Sequence, residues 1–130
     1  RGTIGYAEAS RVGDLPTVAV KVGEDFVKYS PEGAAKVVDA SPRVDGRADH
    51  DFAVQLDRTT TASGVFPVVL ISYLIVCEQY KNPADAEFIK AYATYIASPE
   101  GQSAAQEGAG SAPISDDTRS AVQAAIDSIR

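Results

Sequence analysis

The segment Val65-Phe66-Pro67-Val68-Val69-Leu70-Ile71-Ser72-Tyr73-Leu74-Ile75-Val76-Cys77 constrains the fold more than any other part of the chain. It is apolar almost throughout, rich in β-branched and aromatic residues, and carries no charge until Glu78. It is shorter than the about 20 apolar residues that a helix needs to cross a bilayer. The β-branched enrichment, with Pro67 near the start, predicts a strand. Its apolar residues do not alternate with polar ones, so both faces should be covered, as they are in the central strand of an α/β sheet. The segments that follow read as helices able to provide that cover.

A chain of 130 residues suffices for one modest domain that buries roughly two-thirds of its unfolded surface. At 45% hydrophobic and 23% charged residues it has a globular composition. The net charge of −6 speaks against nucleic acid or an anionic membrane surface as the main partner. It says little against a small anion, which local dipoles and one or two side chains can hold. The single cysteine, Cys77, lies in the apolar run and reads as a small buried hydrophobe rather than a reactive thiol. No stretch reads as a signal peptide, a lipobox-like start or a membrane span. The absence of methionine implies a processed or trimmed piece of something longer.

Along the chain, Gly2-Thr3-Ile4-Gly5-Tyr6-Ala7 reads as a short strand. Thr17 to Val22 and Phe26 to Tyr29 read as a hairpin around Gly23-Glu24-Asp25. Ser30-Pro31-Glu32 is a helix start, with serine as the cap and proline in the first turn. That helix fades by Ser41-Pro42. Residues 42–64 read as a connector with a short extended or helical piece. After the apolar run, Asn82-Pro83 opens a helix whose apolar face would be Phe88, Ile89, Tyr92 and Ile96. Ser98-Pro99-Glu100 opens another, which Gly108 and Gly110 end. Ser115-Asp116-Asp117 opens the last, with Val122, Ala125, Ile126 and Ile129 as its buried stripe.

Little in the sequence suggests catalysis. His50 is the only histidine; Asp49 and Asp51 flank it, which describes a solvated loop residue better than a metal ligand. Gly2-Thr3-Ile4-Gly5 is too short for a dinucleotide fingerprint, and no phosphate-loop or nucleophile-elbow motif occurs. Thr59-Thr60-Thr61-Ala62-Ser63-Gly64 could donate hydrogen bonds to an anion, or could simply be a solvated loop. Asp116 and Asp117 resemble a carboxylate pair, but a helix start makes capping the better reading. Tyr92 and Tyr95 read as core. No catalytic or metal-ligating residue and no cofactor is expected.

The order of the segments carries more information than any one residue. Gly2-Thr3-Ile4-Gly5-Tyr6-Ala7-Glu8 resembles the Gly-x-Ile-Gly-Tyr-x-Glu strand of the phosphate-binding proteins of ABC-type, phosphate-specific transporters. Phe66-Pro67-Val68 through Val76 resembles that family's aromatic-Pro-Ile opening and the apolar strand after it. Phe88-Ile89-Lys90-Ala91-Tyr92 sits where the family has an aromatic-rich helix. Glu100-Gly101-Gln102-Ser103-Ala104-Ala105 looks like its Gly-Gln-x-x-Ala segment. Gly110-Ser111-Ala112-Pro113-Ile114 stands at its Gly-Tyr-x-Pro-Leu-Pro, with Ser111 in place of the tyrosine and Ser115 in place of the last proline.

The resemblance covers the whole chain but only the family's C-terminal part. It implies a two-lobed, type II periplasmic-binding-protein fold, with residues 1–64 in the second lobe and residues 65–130, the central strand and three helices, in the first. It implies a non-catalytic solute-binding component that holds inorganic phosphate outside the cytoplasmic membrane, free or anchored as a lipoprotein, and delivers it to a membrane permease. The family's phosphate ligands, its Ser-Gly-Thr segment included, would lie upstream of Arg1, and Ser63-Gly64 is misplaced for that role. No phosphate-binding residue is therefore expected within the chain. Such a piece would expose apolar faces that an N-terminal fragment of the same protein, or self-association, would have to cover. A non-catalytic interaction domain reusing the fold, or a binder of another oxyanion such as sulfate, are the alternatives; an extracellular phosphatase domain ranks below them, since no nucleophile–base pair is visible.

Overall fold

The four helix starts show how locally this chain encodes its helices. In the computed structural model, which describes residues 2–130, α1 spans Pro31–Asp39, α2 Pro83–Ala97, α3 Pro99–Ala109 and α4 Asp116–Asp127. Each helix leaves its first backbone N–H groups without an internal acceptor, and each finds one in the residue before it. Ser30 Oγ accepts from the Gly33 N–H at 3.0 Å, Asn82 Oδ1 from Ala84 at 3.2 Å, Ser98 Oγ from Gly101 at 3.0 Å and Ser115 Oγ from Thr118 at 3.2 Å. Pro31, Pro83 and Pro99 occupy first helical positions, where the missing N–H costs nothing. The helix α3 continues through Gly108 and ends at Gly110, whose φ of 66° is left-handed.

The strands are fewer and shorter than the sequence predicts. Strands β1 (Val20–Val22) and β2 (Asp25–Val27) pair antiparallel, with Val22 opposite Asp25. The loop is therefore the two residues Gly23-Glu24 rather than three. Gly23 has φ 59° at the first loop position, as a tight turn with glycine there requires. Residues 2–8 form no strand and are exposed. Among the described residues the chain is thus a small mixed α/β domain with four α-helices and one two-stranded antiparallel sheet.

Residues 65–77 do not form the expected central strand. They run without turn or bend, yet pair with no neighbour. Only the opening is buried, with Val65 at 5% and Phe66 at 9% exposure; Leu70 is 91% and Ile75 90% exposed. Neither a second strand nor the C-terminal helices cover the segment. Composition can specify extended backbone, but a strand needs hydrogen-bonding partners, and the remaining segments of the chain form none beside it.

Apolar packing has two centres. One lies around α1 and the hairpin, where Val22, Ala34, Val37, Val65 and Phe66 are buried. The Phe66 N–H donates to the Gly33 carbonyl at 3.0 Å, and the Phe66 ring meets Tyr29 edge-on at 5.6 Å. The other is a helical cluster of Ala86, Ala93, Ala97, Ile126 and Ile129, with Tyr80, Ile89, Ile114 and Val122 against it. Of the stripe predicted for α4, Val122 and Ile126 meet the cluster, Ile129 joins it from just past the helix end, and Ala125 is half-buried outside it. The α2 face is as predicted only in part: Ile89 packs against the cluster and Ile96 is half-buried, but alanines fill the centre while Phe88, Tyr92 and Tyr95 are 69%, 48% and 50% exposed. Small side chains let α4 approach α2 closely, which rotates the larger ones outward.

Two glycines of α3 should respond oppositely to alanine. A Cβ on Gly101 would collide with the Tyr95 carbonyl at the α2–α3 corner, whereas one on Gly108 meets open space. Gly101→Ala should destabilise by about 1–3 kcal/mol, the usual range for overpacking. Gly108→Ala should stabilise by about 0.5–1 kcal/mol. Urea unfolding midpoints of the two variants check both signs.

Candidate functional site

The residues that the sequence singles out do not converge on one centre. The nearest approach to a chemical site is around His50. Its Nδ1 lies 2.7 Å from Glu78 Oε1 and 3.3 Å from Ser128 Oγ. Serine, histidine and carboxylate are thus together, but both partners address the same ring nitrogen. A nucleophile relay needs the serine on one nitrogen and the carboxylate on the other. The Ser128 hydroxyl donates to the Ala125 carbonyl at 2.7 Å, which ties it to the end of α4. The arrangement fastens three distant segments: the 42–57 loop, the end of the apolar run and the end of α4. At the same place the Arg130 N–H donates to the Glu78 carbonyl at 2.9 Å and the Tyr80 N–H to the Arg130 carbonyl at 2.8 Å.

The acidic neighbours of His50 serve the loop itself. The Asp51 carboxylate accepts from the Ala53 N–H at 3.0 Å and pairs with Arg47 at 2.8 Å. Its pKa is held below the ordinary aspartate value, first by the Ala53 hydrogen bond and also by Arg47, with partial desolvation opposing. Asp49 contributes its backbone carbonyl to Arg43 at 3.2 Å, and the Arg43 guanidinium also lies 4.1 Å above the Phe52 ring. Around them Val44 and Gln55 form backbone bonds to Ala53 and Pro42, and Arg43 and Val54 make an isolated bridge. The connector is thus a loop closed on itself. Among the described residues no group of three His, Cys, Asp or Glu side chains is placed to hold a metal ion.

The hydroxyl run at Thr59–Gly64 is similarly engaged. Thr59 Oγ1 donates to Asp57 at 3.0 Å, and Ser63 Oγ donates to Asp25 at 2.7 Å. Thr60 Oγ1 accepts from the Ala62 N–H at 3.3 Å. Hydroxyls whose protons already point at carboxylates, with those negative charges beside them, do not make an anion cradle. The solvated-loop reading describes this segment, and its role is structural. The Thr61 carbonyl packs so closely on the hairpin turn that a Cβ on Gly23 would come within 2.7 Å of it.

Asp116 and Asp117 do not act as a catalytic pair. Asp116 pairs with Arg119 one turn on, while Asp117 is exposed in the first turn, where negative charge favours the helix dipole. Ser115 is the cap, and its hydroxyl also donates to Asp39 at 2.8 Å. Cys77 is exposed rather than buried, since the strand expected to enclose it is not formed. Its backbone N–H donates to the Tyr80 hydroxyl at 3.1 Å.

Sequence reasoning missed Arg58. Its guanidinium reaches the apolar run and donates to the Pro67 and Val69 carbonyls, each at 3.1 Å. Two carbonyls two residues apart on one guanidinium are the mark of extended backbone, whose alternate peptide groups point the same way. No periodicity announces such an arginine, because its partners are backbone atoms rather than a complementary side chain. Comparison with protein-family models, curated proteins and solved structures finds no match to this chain.

Two pH effects follow from these contacts. Tyr29 donates its phenol proton to the Gly110 carbonyl at 2.8 Å, and burial, with Glu32 nearby, raises its pKa above the ordinary 10.0. A raised folded pKa gives stability that is present below the unfolded value and lost as pH rises through the folded one. Asp51 has the opposite sign: its contribution is present above the ordinary aspartate value and lost as pH falls through its lower folded pKa. Thermal melts should therefore show a loss above about pH 10 that Tyr29→Phe removes. They should show a small acid loss below about pH 4 that Asp51→Asn reduces.

Proposed function

We propose that this chain is the C-terminal part of the solute-binding component of an ABC-type importer for inorganic phosphate. In this reading residues 1–64 belong to the second lobe of a type II periplasmic-binding-protein fold and residues 65–130 to the first. The observation that carries the reading is the order of the five segments that resemble the phosphate-binding family. Phe88–Tyr92 falls within α2, in keeping with the aromatic-rich helix that the family has at that place; Glu100–Ala105 falls within α3, and Gly110–Ile114 follows it.

The unpaired apolar run supports the reading from a second direction. A non-alternating extended segment with exposed leucine and isoleucine suits a larger sheet, in which strands from the preceding polypeptide would lie beside it. Phosphate would then be held by that preceding polypeptide, through helix N-termini and hydroxyls, an arginine, and a carboxylate that accepts the proton of the protonated anion. The role is non-catalytic: the assembled lobes would close on phosphate outside the cytoplasmic membrane, free or lipid-anchored, and present it to the permease. A non-catalytic interaction domain is the second reading. In that reading the hydroxyls of Thr59 and Ser63, which donate to Asp57 and Asp25, hold the loop rather than an anion.

Calorimetry with inorganic phosphate distinguishes these readings. The chain alone should show no phosphate heat, whereas the chain together with the polypeptide that precedes Arg1 should bind phosphate and not sulfate. An assembled protein that binds sulfate instead would reassign the anion. One that binds neither would leave the interaction-domain reading in its place.

A further inference from the structure

Asp45-Gly46 is the one place in this chain where an aspartate precedes a glycine. The two residues form a turn in the 42–57 loop, beyond the Arg43–Val54 bridge that closes it, and both are exposed. Gly46 has φ 74°, and a Cβ built on it would meet nothing within 4 Å. Among the described residues the Asp45 carboxyl has no hydrogen-bond or ion-pair partner, and the Gly46 N–H has no acceptor.

This combination has a chemistry of its own. The backbone nitrogen after an aspartate can attack the side-chain carboxyl carbon and close a succinimide ring. Glycine favours the attack, because it has no Cβ to obstruct it and leaves the backbone free to turn toward the carboxyl. The other candidates are held back. The N–H groups that follow Asp39, Asp57 and Asp127 already donate to the Lys36, Leu56 and Ala125 carbonyls. The Asp25 and Asp51 carboxylates accept from Ser63 Oγ and from the Ala53 N–H. Asn82, the only asparagine, precedes Pro83, which has no N–H.

We propose that Asp45-Gly46 is a site of spontaneous backbone isomerisation, at which the aspartyl linkage converts to isoaspartyl. The Gly46 nitrogen bonds to Asp45 Cγ and loses its proton, and a carboxyl oxygen leaves as water. Water then adds to either carbonyl carbon of the ring. Addition at Cγ restores aspartate. Addition at the main-chain carbonyl carbon leaves the chain running through Cβ and Cγ, with the α-carboxylate free. The water lost is regained, so composition is unchanged. The product is what carboxyl methyltransferases specific for isoaspartyl residues esterify. The extra main-chain carbon falls at the turn, outside the Arg43–Val54 bridge, so the rest of the loop and the helices keep their places. Phosphate binding plays no part in this step.

The test is to age the purified chain in warm, mildly acidic buffer and digest it with trypsin. Cleavage after Arg43 and Arg47 releases Val44-Asp45-Gly46-Arg47. A second form of this peptide, equal in mass and separable by chromatography, should accumulate. It should accept a methyl group from S-adenosylmethionine when an isoaspartyl methyltransferase is added. The rate should lie within about tenfold of that in a free peptide spanning residues 42–52, since the fold leaves this turn open. Asp45→Glu keeps the charge and should abolish the second form, because its side chain would have to close a larger ring. A tetrapeptide that stays single while the free peptide isomerises, isoaspartate forming first at another aspartate, or undiminished conversion in the Asp45→Glu variant would each overturn the proposal.

Discussion

The close approach of α2 and α4 is the contact on which the C-terminal half depends. It is an alanine contact: Ala86, Ala93 and Ala97 form the surface that Ile126 and Ile129 fill. Small residues on one helix let the other come near enough for polar groups to tie the ends. The Arg119 Nε–H donates to the Ala97 carbonyl at 3.2 Å, and Lys90 Nζ to the Asp127 carbonyl at 2.9 Å. Both satisfy carbonyls at helix C-termini, where acceptors are left over and a cation is favoured by the dipole. The α2–α3 corner has the same character. Gly101 lies against the Tyr95 carbonyl, and Gln102 links the Ile96 carbonyl to the Ile114 N–H, fixing how the chain leaves α3.

Polar contacts join this half to the α1–hairpin part. Tyr29 donates to Gly110, Ser115 donates to Asp39, and His50 meets Glu78 and Ser128. These groups are partly exposed, and exposed contacts of this kind each contribute little. Apolar area is used within each part rather than between them. This division explains how most of a run as hydrophobic as residues 65–77 can remain outside both clusters: Val65 and Phe66 belong to the first, and the rest passes to the Glu78–Arg130 backbone bonds beside the second.

The helices were legible because their determinants are local. Ser30, Asn82, Ser98 and Ser115 accept from N–H groups two or three residues on, and proline adds a backbone preference that needs no tertiary partner. The α2 face was misread in part for a related reason. Hydrophobic periodicity ranks Phe88 and Tyr92 above alanine, but a close helix pair selects for small size, which no single-helix pattern reveals. The candidate site was less legible still. His50, Glu78 and Ser128 lie far apart in sequence, and Arg58 recognises backbone carbonyls that every residue has.

The sequence alone determined where four helices start, the residues that cap them, and the place of the hairpin at Gly23. Side-chain capping and proline geometry act over a few residues and need nothing else. Tertiary structure decided which faces are buried, that the hydroxyls of Thr59 and Ser63 point at carboxylates, and that Cys77 is exposed. It also decided that the apolar run is unpaired. A strand is a property of two segments, and only the arrangement of the whole chain shows whether the second is there.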